Sequence, residues 1–435
     1  MTTFRRRAYV LLVVVAVLTP FVLFNKLSPP IDAPQHLRQV TPPAQMFSGR
    51  GIIVSVYDTM VPMAGSLVRQ LRTLGAVEDI HFYHCDGELS PASQALLRSL
   101  DPKLDIIDVC SEYVSQGLLP KEKVHDFRSF FLKPMALIHS SFAEVMLLDA
   151  DDILFENPSR LWTVPGYQAT GTLFFYDREI WKPDYLNHPF NATMDGLHKL
   201  LATFNYAKFD LPGHRPSEHL IQSLAYKGLS GHEQDSAIVL INKRKAGPAL
   251  DVLWELLLVE QYKYEFTYGD KELFWLSYEL SGRPYYFSPY ANTVAAMPED
   301  MTTHPQTLCG GLGQWFPVET TEHQLLYINS AALFNPYTDK SPEMALEDWE
   351  LRQDQLIAAI PSHVSKRRQR SPAVEKPFLK DSNPRGWAQE CLVERGNEPL
   401  ADRDQGRIRD RIIDAMAIAV QLDLQRRKST AAMDV

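Results

Sequence analysis

Between Arg50 and Ala150 four short apolar runs, GIIVSVYD, DIHFYHC, LDIIDVC and EVMLLDA, are separated by three stretches of helical character, VPMAGSLVRQLRTLG, SPASQALLRSL and PMALIHSSF. Strands joined by helices cannot pair as tight hairpins. The alternation therefore predicts an α/β fold whose mostly parallel sheet is covered by helices. Local signals agree: Gly75 closes the first helix, and Ser90 stands as a cap before a first-turn Pro91 in the second. In such sheets ligands bind outside the carboxyl ends of the strands.

The fourth run ends in Asp149-Ala150-Asp151-Asp152, inside EVMLLDADDILFENPSRLW, and no cation lies near enough in sequence to neutralise three carboxylates. Asp149 and Asp151 are two apart at the end of an extended segment, so both tend to one face while Ala150 points away. Carboxylates closing a buried strand raise one another's cost of ionisation unless a cation joins them. Short hard-oxygen ligands grouped this way suit Mg2+ or Mn2+ bound jointly with substrate phosphates. The bland alternative is a solvated strand end with a turn. Asp152 is expected to face solvent or the surroundings of the metal rather than the metal itself. No glycine-rich phosphate loop follows the first strand, since VYDTMVP has neither GxGxxG nor a Walker pattern.

With 435 residues, 45% of them apolar, the chain can bury a large core. Its net charge of −9 argues against sequence-independent nucleic-acid binding, which depends on clustered Lys and Arg. The short basic tract Lys366 to Arg370 reads as a solvated connector.

Three arginines precede an uncharged, mostly apolar run from Ala8 to Phe24. That run just reaches spanning length and lacks a small-residue cleavage pattern after it, so an uncleaved signal anchor is favoured over a cleaved signal peptide. The flanking arginines then keep residues 1–7 cytosolic and send the rest into a lumen. Residues 25–49, with prolines at 29, 30, 34, 42 and 43, read as a stem. A catalytic domain follows over 50–340, and 341–435 forms a helical C-terminal extension with two amphipathic stretches. The sequon Asn191-Ala192-Thr193 and cysteines 85, 110, 309 and 391 suit a luminal address. Four cysteines allow three pairings; Cys85 with Cys110 is favoured because each ends a strand-like run.

LLDADDILFENPSRLW resembles the metal-binding segment of the fungal α-1,3-mannosyltransferases, Golgi type II membrane enzymes with the A-type glycosyltransferase fold. FRSFFLKPMALIHSSFAEV resembles that family's approach to the segment, and GYQATGTLFFYDREIW, HEQDSAIVLINKRKAGPALDVLW and YGDKELFWLSYELSGRPYYF are similar to its later blocks, in order. The resemblance covers roughly 50–336. It implies a retaining transfer of mannose from GDP-mannose to a mannose-containing glycan or glycoprotein at the Golgi membrane, with Mn2+ or Mg2+ as cofactor. By match to the motif, Asp149 would contact the donor's sugar or ribose and the metal, and Asp151 would ligate the metal. Lys133 is the candidate cation for the donor's phosphates, or else an exposed lysine at a helix start.

Two further candidates come with the resemblance. Asp235, in Asp235-Ser236-Ala237, matches an acid-Ser-Gly element near the donor sugar, although Asp stands where Glu is expected and Ala237 where glycine is. Asp270 either binds acceptor hydroxyls or flanks the anomeric carbon, or is only the cap of the helix it precedes. The family commonly completes its metal shell with a later histidine. LYIN has none, and His304 and His323 lie outside that position, which leaves Asn329 or water. Two other classes compete. VMLLDADDI also fits phosphatases of the haloacid dehalogenase type, with Asp149 as nucleophile and Asp151 as acid and base. A luminal glycan-binding protein without turnover is the non-enzyme alternative.

Overall fold

The computed structural model of the chain describes residues 47–179, 183–319, 323–337, 348–370 and 391–433. The expected anchor at 8–24, nearly all of the stem, and the boundary at 340 lie outside them. Among the described residues no helix is long and apolar enough to cross a membrane.

Strands β1 (Ser48–Ser55), β2 (Asp79–His84), β3 (Leu104–Asp108) and β4 (Phe142–Leu148) alternate with helices α1 (Val61–Thr73), α2 (Pro91–Leu100), α3 (Val109–Ser115) and α4 (Leu132–His139). The Ser90 side chain accepts from the Ser93 amide, as its cap position requires. One boundary differs: Val109 and Cys110, read as strand, open α3, because the Asp108 carboxylate caps the Ser111 amide and turns the chain into a helix. After β5 (Asp152–Leu154) and β6 (Thr172–Tyr176), β7 (Gln234–Asn242) completes a six-stranded sheet of order β3-β2-β1-β4-β7-β6. All neighbours are parallel except β7, which runs against β4 and β6.

The strand period of two divides the core between the sheet's faces. Ile53, Val145, Leu147, Val239 and Ile241 face one cluster, and Ile52, Val54, Met146, Leu148, Ile238 and Leu240 the other. Both faces are therefore covered, as the near-continuous apolar strands require.

A second sheet joins β5 to three later strands, β8 (Thr293–Val294), β10 (Leu312–Trp315) and β11 (Leu325–Asn329), in the order β5-β11-β10-β8. β9 (Leu308–Cys309) pairs instead with the short strand Cys391–Leu392. Beside it lies the long C-terminal helix Asp402–Met433, which packs along α1: Ile418 and Leu422 enter the core with Leu67 and Val68, and Ile408, Ile412 and Met416 meet Ile153 and Phe155. The tail is thus part of the catalytic body's core. The basic tract is not a solvated connector either. Arg368 and Arg370 are largely buried and pair with Glu179 at 2.7 and 2.8 Å, because a strand-like run beside Tyr290 and Ala295 carries them inward.

Cys85 pairs with Cys110, as favoured from the sequence, and Cys309 with Cys391 across a separation of 82 residues. A loop of that length gives a chain-entropy stabilisation of roughly 4 kcal/mol. Cys391→Ser is accordingly expected to lose about that much in urea unfolding under oxidising conditions, and a loss under about 1 kcal/mol would mean that the β9 region is held by its packing alone.

Candidate active site

The topology turns at the aspartates. β4 ends at Leu148, the Asp152 amide donates to the Asp149 carbonyl at 3.2 Å, and the chain leaves in β5 for the second sheet. Asp149 to Asp151 is thus a turn between two sheets and not the extended pair that strand alternation suggested. The turn is fixed from three sides. The Asp149 amide donates to the Ala237 carbonyl of β7 at 2.9 Å, and the Ser330 amide to the Asp151 carbonyl at 3.2 Å. From the C-terminal helix, buried Arg411 donates to the Ala150 and Asp152 carbonyls at 3.2 and 2.8 Å. Its other nitrogen reaches the Met63 carbonyl and the Ser66 hydroxyl of α1.

Around this turn lies a cavity of about 390 Å3, lined by Tyr57 beyond β1, Lys133 of α4, Asp149, Asp151, Asp235 of β7, Asp270, Lys271 and Asn329 of β11. All five site residues expected from sequence, Lys133, Asp149, Asp151, Asp235 and Asp270, meet here. They do so because β7 runs antiparallel to β4, so its first residues lie beside the last residues of β4.

Lys133 is buried, not the exposed lysine of its alternative reading. Its ammonium lies 2.7 and 2.9 Å from the two Asp149 oxygens, 3.5 Å from Asp270 and 3.3 Å from the Ser236 carbonyl. Burial works against its charge, but Asp149 and then Asp270 more than offset this and hold its pKa above the usual lysine value. Asp149 is itself pushed up, first by burial and then by Asp151 and Asp270, with Lys133 opposing. Asp270 is raised by burial, with Lys133 opposing, and its Oδ2 is the oxygen that faces the Lys133 ammonium. It does not cap its helix, which begins at Leu273 after Glu272. Asp235 receives Tyr327 Oη at 2.6 Å, Gln314 Nε2 at 3.2 Å and the Ala237 amide at 3.1 Å, so most of its acceptor capacity is already taken.

Of the two places expected for Asp152, solvent is excluded, and it lies in the surroundings of the candidate metal turn. It is fully buried and braces the turn, accepting from the Asp149 amide at 3.1 Å and from Asn329 at 3.1 Å. Burial, reinforced by Asp149 and Asp151, pushes its pKa far up. Asn329 also donates to Asp151 at 3.0 Å, which puts its carboxamide at the position where a histidine was sought. Among the described residues no histidine lines the cavity: His323 lies 3.9 Å from Glu398 and His304 3.4 Å from Asp300. The donor set fits a hard divalent cation. Two carboxylates and a carboxamide border one open space, which the buried Asp270 also lines. Mg2+ and Mn2+ take one or two protein carboxylates and leave the remaining positions to substrate oxygens and water.

Sequence reading missed Arg178 and Lys271, which bring positive charge to the same cavity. Arg178 donates to the Gly310 carbonyl at 2.9 Å, and Lys271 pairs with buried Asp177. The signal was present: Asp177-Arg178 ends an apolar strand just as the aspartates end β4. Arg411 carried no such signal, being one of several arginines on an amphipathic helix. Arg411→Met is expected to cost about 2–4 kcal/mol in denaturant unfolding, since it strands carbonyls of the turn and of α1. Stability within 0.5 kcal/mol of wild type, an allowance on the order of a surface change, would show the turn to be self-supporting.

Residues 49–314 match the sequence profile of a family described as "Mannosyltransferase putative". Similar curated proteins include "Putative alpha-1,3-mannosyltransferase MNN1" of Candida albicans, 27% identical over 68% of this chain and 40% of its own length. "Alpha-1,3-mannosyltransferase MNN1" of Saccharomyces cerevisiae is 23% identical over 70% and 43%. The chain thus spans about two-fifths of these relatives. Among solved structures, that of the galactosyltransferase LgtC aligns over 55% of this chain and 74% of its own, at 15% identity and a TM-score of 0.32.

Proposed function

Because the chain belongs to the family described as "Mannosyltransferase putative", we propose that it is a glycosyltransferase that moves mannose from GDP-mannose to a mannose-containing glycan or glycoprotein, with retention of the α-anomeric configuration and a requirement for Mn2+ or Mg2+. One observation carries this reading. The family-matched segment delivers Asp149, Asp151, Lys133 and Asp270 to one cavity at the carboxyl ends of β1 and β4, where open α/β sheets bind nucleotides.

In this reading Asp149 and Asp151 hold the cation, with Asn329 keeping Asp151 in place. The bound ion supplies neutralisation of the charge that develops on the departing diphosphate. Lys133 orients Asp149 and presents its remaining positive charge toward the phosphates. Arg178, just beyond β6, and Lys271 add to that field from the wall of the same cavity. Asp270, buried at the cavity wall and facing the Lys133 ammonium at 3.5 Å, is the carboxylate assigned to meet a sugar hydroxyl or the anomeric centre. Asp235, held by three donors, is a fixed wall of the site and sets the reach of that centre. Residues 8–24 anchor the chain in the Golgi membrane with its catalytic body in the lumen, where the exposed sequon residue Asn191 is accessible to glycosylation. The phosphatase reading draws no support from the family or the relatives.

The test is a panel of nucleotide sugars offered to the folded chain with Mn2+ and a manno-oligosaccharide, with product anomericity read by NMR. GDP-mannose should be consumed with formation of an α-linked product. Neither transfer nor hydrolysis of any donor, with oligosaccharide binding intact, would favour the binding-protein alternative.

A further inference from the structure

Two aromatic side chains at the mouth of the cavity lie outside the core, and one of them, Tyr268, has the Lys271 ammonium 5.9 Å from its ring centroid. Phe130 and Tyr268 are 44% and 45% exposed, and their ring centroids lie 5.4 Å apart at a tilt of 52°. Two exposed aromatic rings side by side at a cleft form an apolar patch of the kind that marks a ligand-binding groove. Both rings line the main cavity and also a second cleft of about 450 Å3 that continues from it.

The backbone holds these rings in place against its own preferences. Ser129, just before Phe130, has φ of 61°, and Gly269, just after Tyr268, has φ of 60°. A left-handed serine is strained, and such strain persists where surrounding structure imposes it. Gly269 is required twice over, because a Cβ there would also lie 2.6 Å from Phe130 Cβ. The two loops therefore meet ring against backbone. Tyr185, another left-handed residue, supports Tyr268 edge-on at 5.7 Å.

The chemistry of the cleft selects its occupant. Beyond the rings its walls carry Asp126, Glu265 and Thr267; Asp126 Oδ2 accepts from the Tyr262 hydroxyl at 3.1 Å and pairs with Lys123 at 3.2 Å, which leaves Asp126 Oδ1 and the exposed Glu265 to a ligand. Carboxylates repel phosphates and accept from hydroxyls, so the cleft suits a neutral polyol and not the nucleotide. The other exposed aromatic of the main cavity, Tyr57, directly follows β1, at the strand ends where a nucleotide's base belongs.

We propose that Phe130 and Tyr268 form the platform on which the acceptor oligosaccharide lies, their faces stacked on the apolar face of the hexopyranose next to the accepting sugar, with Asp126 and Glu265 receiving its hydroxyls. The assignment of the acceptor to a mannose-containing glycan rests on the function proposed above; the platform itself rests on the geometry.

The test measures binding to the full chain, by calorimetry without donor, of methyl α-mannoside, a linear α-linked mannotriose and GDP. Wild type should bind the trisaccharide more tightly than the monosaccharide. Phe130→Ala and Tyr268→Ala should each weaken the trisaccharide about tenfold, whereas Tyr268→Phe, which keeps the ring, should stay within twofold. Unchanged trisaccharide affinity in both alanine variants overturns the platform. Weakened GDP binding with trisaccharide binding intact also overturns it, in favour of a nucleobase shelf. If wild type turns over no nucleotide sugar but the trisaccharide loss is seen, the proposed reaction fails and the platform stands.

Discussion

Lys133→Met should abolish transfer and destabilise the fold by about 3–5 kcal/mol, the range found when one partner of a buried ion pair is removed. Its ammonium is the one cation within ion-pair distance of Asp149 and Asp270 among the described residues; Asp270 is buried and Asp149 half-buried. Methionine keeps the volume and removes the charge, so the cost is electrostatic and not one of packing. A double variant separates the two roles. Lys133→Met with Asp270→Asn should regain part of the lost stability, because one of the two stranded charges is gone, but no activity. Chemical unfolding of the four members of the cycle gives the coupling. Independent, additive losses would mean that Lys133 is held by Asp149 alone.

Asp151→Asn is the second large effect. Transfer from GDP-mannose is expected to fall on the order of a thousandfold, and Mn2+-dependent donor binding to disappear. The fold should survive, since the Asp151 side chain makes a single hydrogen bond, from Asn329 at 3.0 Å, and lies at the edge of the cavity. Far-UV circular dichroism checks the fold, calorimetry with and without Mn2+ checks the donor, and the transfer assay checks turnover. Full activity in this variant would mean that the metal assignment at the turn is wrong. Activity lost while metal-dependent binding persists would instead give Asp151 a role in chemistry and not in ligation.

These variants probe a site whose members lie far apart in the chain, and that distance explains what could be read in advance. The aspartates announced themselves because three acids closing an apolar strand are locally anomalous. Lys133, Asp235 and Asp270 were reached only through resemblance, since each alone also reads as a surface lysine, a strand start or a helix cap. For Asp152 the neighbours left solvent and the surroundings of the metal both open, and β11 laid across β5 decides between them by burying it beneath Asn329. Arg368 and Arg370 were misread as solvated, their partner Glu179 lying 189 and 191 residues away.

The sequence by itself determined the alternation of strands and helices, the mostly parallel sheet and the carboxylate cluster at the end of β4, because period, capping and charge density are local properties; it favoured the Cys85–Cys110 pairing among three. Only the tertiary structure decided what surrounds that cluster. Antiparallel β7 brings Asp235 and Ser236 to Asp149, β11 brings Asn329 to Asp151, and the C-terminal helix brings Arg411 to the turn. Each of these contacts depends on which distant strand or helix covers an apolar face, and an apolar face specifies burial without naming its partner.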